Sequence, residues 1–441
     1  MRAALVLVLL SLGGPCGATD LLTAYTQALS NDAFYLSEKV GAEADAKELQ
    51  KSYSGLLPSV GFNGSGSRNY TNSVQKNTLD QEVETKLSYY SQSYAFTFRQ
   101  PLYRKQNWAV FRQAQATARR AEAGAKEDAQ ALALRVATAY LEAFLANAQL
   151  EVERSRKEAL NQTLELTEKA FRTGASTLTD VYDVRARRDV AAAAEIEAAN
   201  ALQIALDTLQ QITNTPPVSV IPIDYKKLPV ADTGGKVTDW IERSIKTNYN
   251  MEQLRQDVES ARQEKQKQLS GHYPSLDFFA QYRRASNELD TLLNRGTKTS
   301  LVGFQASMPF FSGGYTYYAV EQASLRYDRA SLRLEAGKRE IAAQVKREFG
   351  NVLQTAAKVS ALEQAVESSS QSLTGSQKGV SAGTRTIPDV LNAQDQLYRT
   401  KADLARAAGQ FVLAYLRLRD ISGELDQKAV QTVNGWLQPA P

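Results

Sequence analysis

From Tyr103 to Arg172 the sequence contains no proline and no loop-like cluster, and strong helix formers, Ala, Glu, Gln, Arg and Leu, dominate it. One helix of about 70 residues would be about 105 Å long. A rod of that length survives in water only by lying against other helices. A second run of the same kind extends from Tyr315 to Ala382.

Each rod ends in the same way. Val380 to Asn392 reads Val-Ser-Ala-Gly-Thr-Arg-Thr-Ile-Pro-Asp-Val-Leu-Asn. Gly383 suits a helix C-terminus, Thr386 an N-cap and Pro388 a first helical turn, while Asp389 places a negative charge at the positive end of a new helix. Phe171 to Asp183 is an earlier copy, with Gly174 and Asp180 in the matching places. Gly174 and Gly383 are 209 positions apart, as are Asp180 and Asp389. The chain therefore reads as two tandem copies of one design, each with a tight helix-to-helix turn.

Taken in order, each copy has a helix of about 35 residues, a strand hairpin, the long helix, the turn and another helix of about 35. The first short helix is expected over Leu21–Ser54 and its counterpart over Thr238–Ser270. Strands are expected where the period becomes two. Val60 and Phe62 alternate with Gly61 and Asn63; Tyr94, Phe96 and Phe98 with Ala95, Thr97 and Arg99; Leu276 and Phe278 with Asp277 and Phe279; and Val302, Phe304, Ala306 and Met308 share one face. A polar, Asn/Ser/Gln-rich segment from about Tyr70 to Lys86 is expected to lie between the first two strands, and Pro101 is expected to end the second. Val390, Leu397, Leu404, Phe411 and Leu418 recur every seven residues in the last helix, a coiled-coil seam. The resulting division is a signal peptide at 1–18, a first repeat at 19–217, a linker at 218–236, a second repeat at 237–426 and a tail at 427–441.

The first 18 residues carry Arg2, an apolar run from Ala3 to Leu12 and the small residues Cys16, Gly17 and Ala18, which reads as an export signal. Cys16 is the only cysteine, so the mature chain is expected to have neither a disulfide nor thiol chemistry. Lipid attachment at Cys16 is the other reading, and Pro15 and Gly13 fit it poorly. No other run approaches the length of a membrane-spanning helix, so any crossing must be made by strands. With 52 Lys and Arg against 48 Asp and Glu, mixed along the helices, the surface is solvated rather than built for nucleic acid. No phosphate-cradling loop, metal-ligand cluster or nucleophile–base pair is evident; His272, the sole histidine, suits a structural role before Pro274. Neither an enzyme nor a cofactor is expected.

The strands alternate aromatic with small polar residues over about ten positions each, the pattern of strands crossing a bilayer around a polar interior. Four strands are too few to close a barrel, and an open edge cannot face lipid. Closure would need further copies of the chain: two would give eight strands and three would give twelve. A soluble helical scaffold or adhesin, periplasmic or at the cell surface and capped by a small sheet, is the alternative from pattern alone.

With Gly-Thr-Arg-Thr-Ile-x-Asp-Val-Leu at Gly383–Leu391, Phe-x-x-Gly-x-x-x-x-x-Asp-Val at Phe171–Val181, and a proline before and after each hairpin, the chain resembles the TolC family of outer-membrane channel-tunnels over essentially its whole mature length. The resemblance implies an α+β membrane protein: a homotrimer whose four-strand contributions form a 12-stranded β-barrel, continuous with an α-helical tunnel in the periplasm. It implies an inner-membrane ABC or RND-type transporter and a periplasmic adaptor as partners, contact with outer-membrane lipid, and type I protein secretion or efflux of small molecules as the task. It also implies a periplasmic gate in which Arg385 pairs with Asp180 of a first-copy hairpin and Asp389 stands in a ring of carboxylates. The sequence departs from the best-known pattern: Val380 stands in place of a tyrosine, Thr163 and Gln377 in place of a glutamine–glutamate link, and Asn392 in place of a second aspartate. Fewer negative charges should then face the constriction, which should bind cations less tightly.

Overall fold

The computed structural model describes residues 19–76, 78, 80–229, 235–287 and 296–438. The signal segment at 1–18 lies outside them. The chain forms two compact units, one made of the chain up to Gly41 with Ala123–Glu252 and Ala336 onward, the other of Ala42–Glu122 and Gln253–Glu335.

The long helices are continuous: α4 spans Lys105–Arg172 and α8 spans Tyr315–Ser381. Their partners after the turns are α5, Leu178–Thr213, and α9, Ile387–Ile421. The two expected short helices are broken. The first is α1 (Leu21–Asn31), α2 (Ala33–Ala46) and α3 (Glu48–Tyr53); the second is α6 (Val237–Thr247) and α7 (Tyr249–Leu269). Lys47, between α2 and α3, stays helical in its backbone, whereas the break after α1 and the break between α6 and α7 each have an Asx residue as their physical reason. Asp32 is extended at φ −67°, ψ 108°, and accepts the Tyr35 N–H at 2.6 Å, so it restarts the helix as an N-cap. Asn248 does the same for Met251 at 3.0 Å, and its amide donates to the Ile421 carbonyl at 2.9 Å. The two breaks are 216 positions apart, the spacing that also relates Pro58 to Pro274.

In the first unit the heptad positions Val390, Leu397, Leu404, Phe411 and Leu418 are all buried, as the coiled-coil seam requires, along with Tyr140 and Phe144 of α4. The residues read as linker and tail contribute to this core. Val220, Ile221 and Ile223 are buried, and Tyr140 accepts the Ile221 N–H at 3.0 Å. Residues Gln427–Asn434 form a last helix, α10, and Trp436 beyond it packs on Tyr415 with ring centroids 4.9 Å apart.

The second unit holds one antiparallel sheet in the order β1-β2-β3-β4: β1 Ser59–Lys76, β2 Glu82–Tyr103, β3 Ser275–Asn287 and β4 Thr297–Ser307. Two expectations are corrected. The stretch Tyr70–Lys86 does not separate the two strands but largely belongs to them, because Tyr70 pairs with Ser88 and Val74 with Glu84 in a ladder that runs to Lys76 opposite Glu82. Polar side chains hid a ladder in which each strand satisfies the other's backbone groups. Pro101 does not end β2 either; lacking an N–H, it marks a register shift, and the strand continues to Tyr103.

Candidate functional site

The pleat of the sheet separates two chemistries. On one face Phe62 stacks with Phe96 at 4.9 Å, Phe98 with Phe278 at 6.0 Å and Phe278 with Phe304 at 5.4 Å. Phe62, Phe96 and Phe304 are exposed, as they would not be on a sheet covered by protein. The opposite face carries Asn63, Ser65, Ser93, Thr97, Gln281, Gln305 and Ser307. There, Asp277 of β3, only 2% exposed, receives Arg99 of β2 at 2.6 Å and also pairs with Arg104 at the start of α4. The two cations satisfy a carboxylate that would otherwise be costly to bury, and they tie the two hairpins together. Alternation alone would not have singled out Asp277, although it is the one acidic residue in that strand.

The helix-to-helix turns lie in the first unit and are built alike. Gly174 has φ 75° and Gly383 φ 72°, a left-handed conformation natural to glycine. Ala175 N–H reaches the Ala170 carbonyl at 2.8 Å, and Thr384 N–H reaches that of Gly379 at 2.9 Å, so both helices end in a Schellman turn. The next helix begins with an aspartate that binds its own cap. Asp180 Oδ2 accepts from the Thr177 N–H at 2.9 Å, and Asp389 Oδ2 from the Thr386 N–H at 2.9 Å. Backbone and side-chain hydrogen bonds from Thr177 hold the Asp180 carboxyl below the usual aspartate range; those from Thr386, helped by Arg385, do the same for Asp389.

Arg385 stands exposed with its Nη1 4.0 Å from Asp389 Oδ1. Its stem lies over Gly379: a Cβ built there would come within 2.5 Å of the Arg385 Cγ. Sequence reasoning missed Gly379, whose only signal is a helix-disfavouring residue one turn before a turn glycine. Val380 is half-buried and accepts the Gly383 N–H at 3.0 Å, while Gln377 is exposed. Thr163 is buried and bonded by Gln394 at 3.1 Å, so within one chain its side-chain partner is on α9 rather than Gln377. Asn392 Oδ1 is 3.4 Å from Arg187.

Arg187 belongs to a cluster that sequence alone did not indicate. Asp395 of α9 accepts from Arg156 of α4 at 2.7 Å and from Arg187 of α5 at 2.9 Å, and Tyr398 donates to the Ser155 carbonyl at 3.1 Å. Beneath these bonds Leu160, Val184, Ala191 and Leu391 form a small apolar core. The first-copy hairpin is thereby fastened to the second-copy helix α9 within one chain.

Among the described residues no helix is long and apolar enough to cross a membrane, and no group of three or more His, Cys, Asp or Glu could hold a metal ion. The family described as outer membrane efflux protein matches residues 24–215 and 240–424, one span in each copy. Outer membrane protein TolC of Vibrio cholerae serotype O1 is 31% identical over 427 residues, covering 96% of this chain and 95% of that protein. Proteases secretion protein PrtF of Dickeya chrysanthemi is 28% identical, covering 100% of this chain and 96% of its own length. Among solved structures, the outer membrane protein VceC of Vibrio cholerae superposes with a TM-score of 0.76 at 18% identity, covering 92% of this chain and 97% of that one. Two matched halves, a sheet with one apolar and one polar face, and paired long helices closed by twin turns all agree: the chain belongs to the outer membrane efflux protein family.

Proposed function

We propose that this outer-membrane exit duct works as a homotrimer. Its twelve strands would make one barrel, its helices a periplasmic tunnel, and an inner-membrane ABC or RND-type transporter with a periplasmic adaptor would deliver protein or small-molecule cargo. The observation that carries this reading is the sheet. One face is fit for lipid and the other for water, and β1 and β4 each have one edge that pairs with no other described strand.

The internal repeat supports closure by copies and supplies a register. Ser59 pairs with Arg99 in the first hairpin, and Ser275 with Ser307 in the second. Aligning Pro58 with Pro274 and Pro101 with Pro309 makes the two hairpins correspond residue for residue. The joint between them pairs Arg99 with Phe279. Its counterpart between copies sets Ser307 of one chain opposite Asn63 of the next, and Met308 opposite Phe62 on the apolar face. Gly61 and Ser307 stand where the inner joint has Asp277 and Arg99, so the seam between copies lacks the ion-pair clamp.

The closed end would be held by Arg385 reaching Asp180 of a first-copy hairpin, with Asp389 of the three copies forming a ring. What supports this is an exposed guanidinium whose in-chain ion pair is no closer than 4.0 Å. Arg385→Ser is expected to raise single-channel conductance severalfold in planar bilayers; unchanged conductance removes Arg385 from the gate. Gly379→Ala should act in the same direction without changing any charge, because its methyl displaces the Arg385 stem. Wild-type conductance in that variant would mean that the rotamer of Arg385 does not matter.

A further inference from the structure

A second polar feature lies in the sheet-bearing unit, where β2 gives way to α4. There a cavity of about 450 Å³ is lined by Tyr103, Lys105, Trp108 and Arg112 on one side and by Arg262 and Gln266 of α7 on the other. Trp108 is 51% exposed and Tyr103 is also exposed, which is unusual for rings not covered by a partner. Tyr103 pairs with Leu276 across the register shift, which puts it on the same face as Phe278 and the aromatic ladder. One wall of the cavity is thus continuous with the apolar side of the sheet.

Its charge is one-sided. Lys105 Nζ sits 3.6 Å above the Tyr273 ring, and Arg112 has no hydrogen-bond or acidic partner among the described residues. Arg262 is held at 2.8 Å by Glu259, one turn away on its own helix. Two cations without a counter-ion thus flank an exposed tryptophan at the end of a membrane strand. At the matching place in the second copy Phe310, Phe311, Tyr315, Tyr317 and Tyr318 are all exposed, so both copies mark this level with aromatic rings. Such a belt sits at the boundary between hydrocarbon and headgroups, and basic side chains beside it hold anionic phosphates.

We propose that this cavity is a binding site for the phosphodiester headgroup of an anionic phospholipid in the periplasmic leaflet of the outer membrane. Lys105 and Arg112 bind the phosphate, Trp108 and Tyr103 rest on the glycerol and upper acyl chain, and Gln266 offers a neutral hydrogen-bonding rim. The site anchors each protomer at a fixed depth.

Trp108 makes the test direct, since the other two tryptophans, Trp240 and Trp436, are only 3% and 9% exposed. The full chain is reconstituted in phosphatidylcholine vesicles containing equal mole fractions of acyl-brominated phosphatidylglycerol or acyl-brominated phosphatidylcholine, and emission is corrected with Trp108→Phe. Brominated phosphatidylglycerol is expected to quench at a lower mole fraction, by about fivefold for each of the two cations. Lys105→Gln with Arg112→Gln should abolish that preference while leaving quenching by the phosphatidylcholine lipid intact, and Arg112→Lys should retain it. Millimolar inorganic phosphate should not displace the lipid. Equal quenching by both lipids in the native protein overturns the site, and loss of the preference in free phosphate reassigns it to a soluble anion and overturns the lipid.

Discussion

A chain carrying Asn63→Cys together with Ser307→Cys is expected to oxidise into covalently linked copies, whereas Ser307→Cys combined with Gly61→Cys or Ser65→Cys is not. Directly opposed residues of antiparallel strands have Cα atoms about 4.5–5.5 Å apart, within disulfide range, and a two-residue offset takes them to about 7–8 Å. Offsets of one need no test, because they would turn the aromatic face of one chain towards the polar face of the next. Both positions lie on the polar face, where water and oxidant have access, and the natural sequence has no other cysteine beyond Cys16. Denaturing gels would show dimers and trimers for the matched pair alone. If the protein in detergent has the mass of one chain, the trimer is wrong; if it has the mass of three but links only through a shifted pair, the register alone is wrong.

Gly423→Ala is expected to cost about 3–4 kcal/mol, well above the roughly 1 kcal/mol expected of Gly383→Ala, although both positions are left-handed. Both glycines have φ 72°. A Cβ at Gly383 would meet nothing within 4 Å, but one at Gly423 would lie 2.5 Å from the Thr247 carbonyl oxygen and 2.9 Å from its carbon. That obstacle is backbone, and it cannot swing aside. It is also bonded in place, since Thr247 Oγ1 donates to the Ser422 carbonyl at 2.6 Å and the Asn248 amide to that of Ile421 at 2.9 Å. Moving the segment would break the bonds that seat the second helix break against the end of α9. Thermal loss of the folded protein in detergent, followed for both variants, measures the difference; equal midpoints would mean that the loop yields freely.

The two variants show how differently the parts of this chain can be read. The turns at Gly174 and Gly383 were legible because everything they need is local: a left-handed glycine, a threonine cap and an aspartate three residues on. The rods were legible for the same reason, and so was the seam from Val390 to Leu418, because helical periodicity is carried along a single segment. The strand faces from Val60 to Phe98 and from Leu276 to Met308 followed from a period of two. Where expectation failed, a short-range signal had been outweighed by composition. Asp32 and Asn248 are good N-caps inside otherwise helical runs, and Tyr70–Lys86 is polar enough to resemble a loop while its backbone pairs as a hairpin.

The candidate site divides along the same line. Sequence by itself determined the repeat, the lengths of the two long helices and of the helices after the turns, the alternation of the strands and the positions of Arg385, Asp180 and Asp389, since each depends on residues within a turn or two of one another. Only the tertiary structure decided that Asp277 is buried between Arg99 and Arg104, that Asp395 is shared by Arg156 and Arg187, that Gly379 makes room for the Arg385 stem, and that Lys105 and Arg112 line one cavity with Arg262. These partners lie from 6 to more than 200 positions apart in the chain. The geometry of an ion pair or a cavity wall depends on which helices and strands are neighbours, and no local periodicity encodes that.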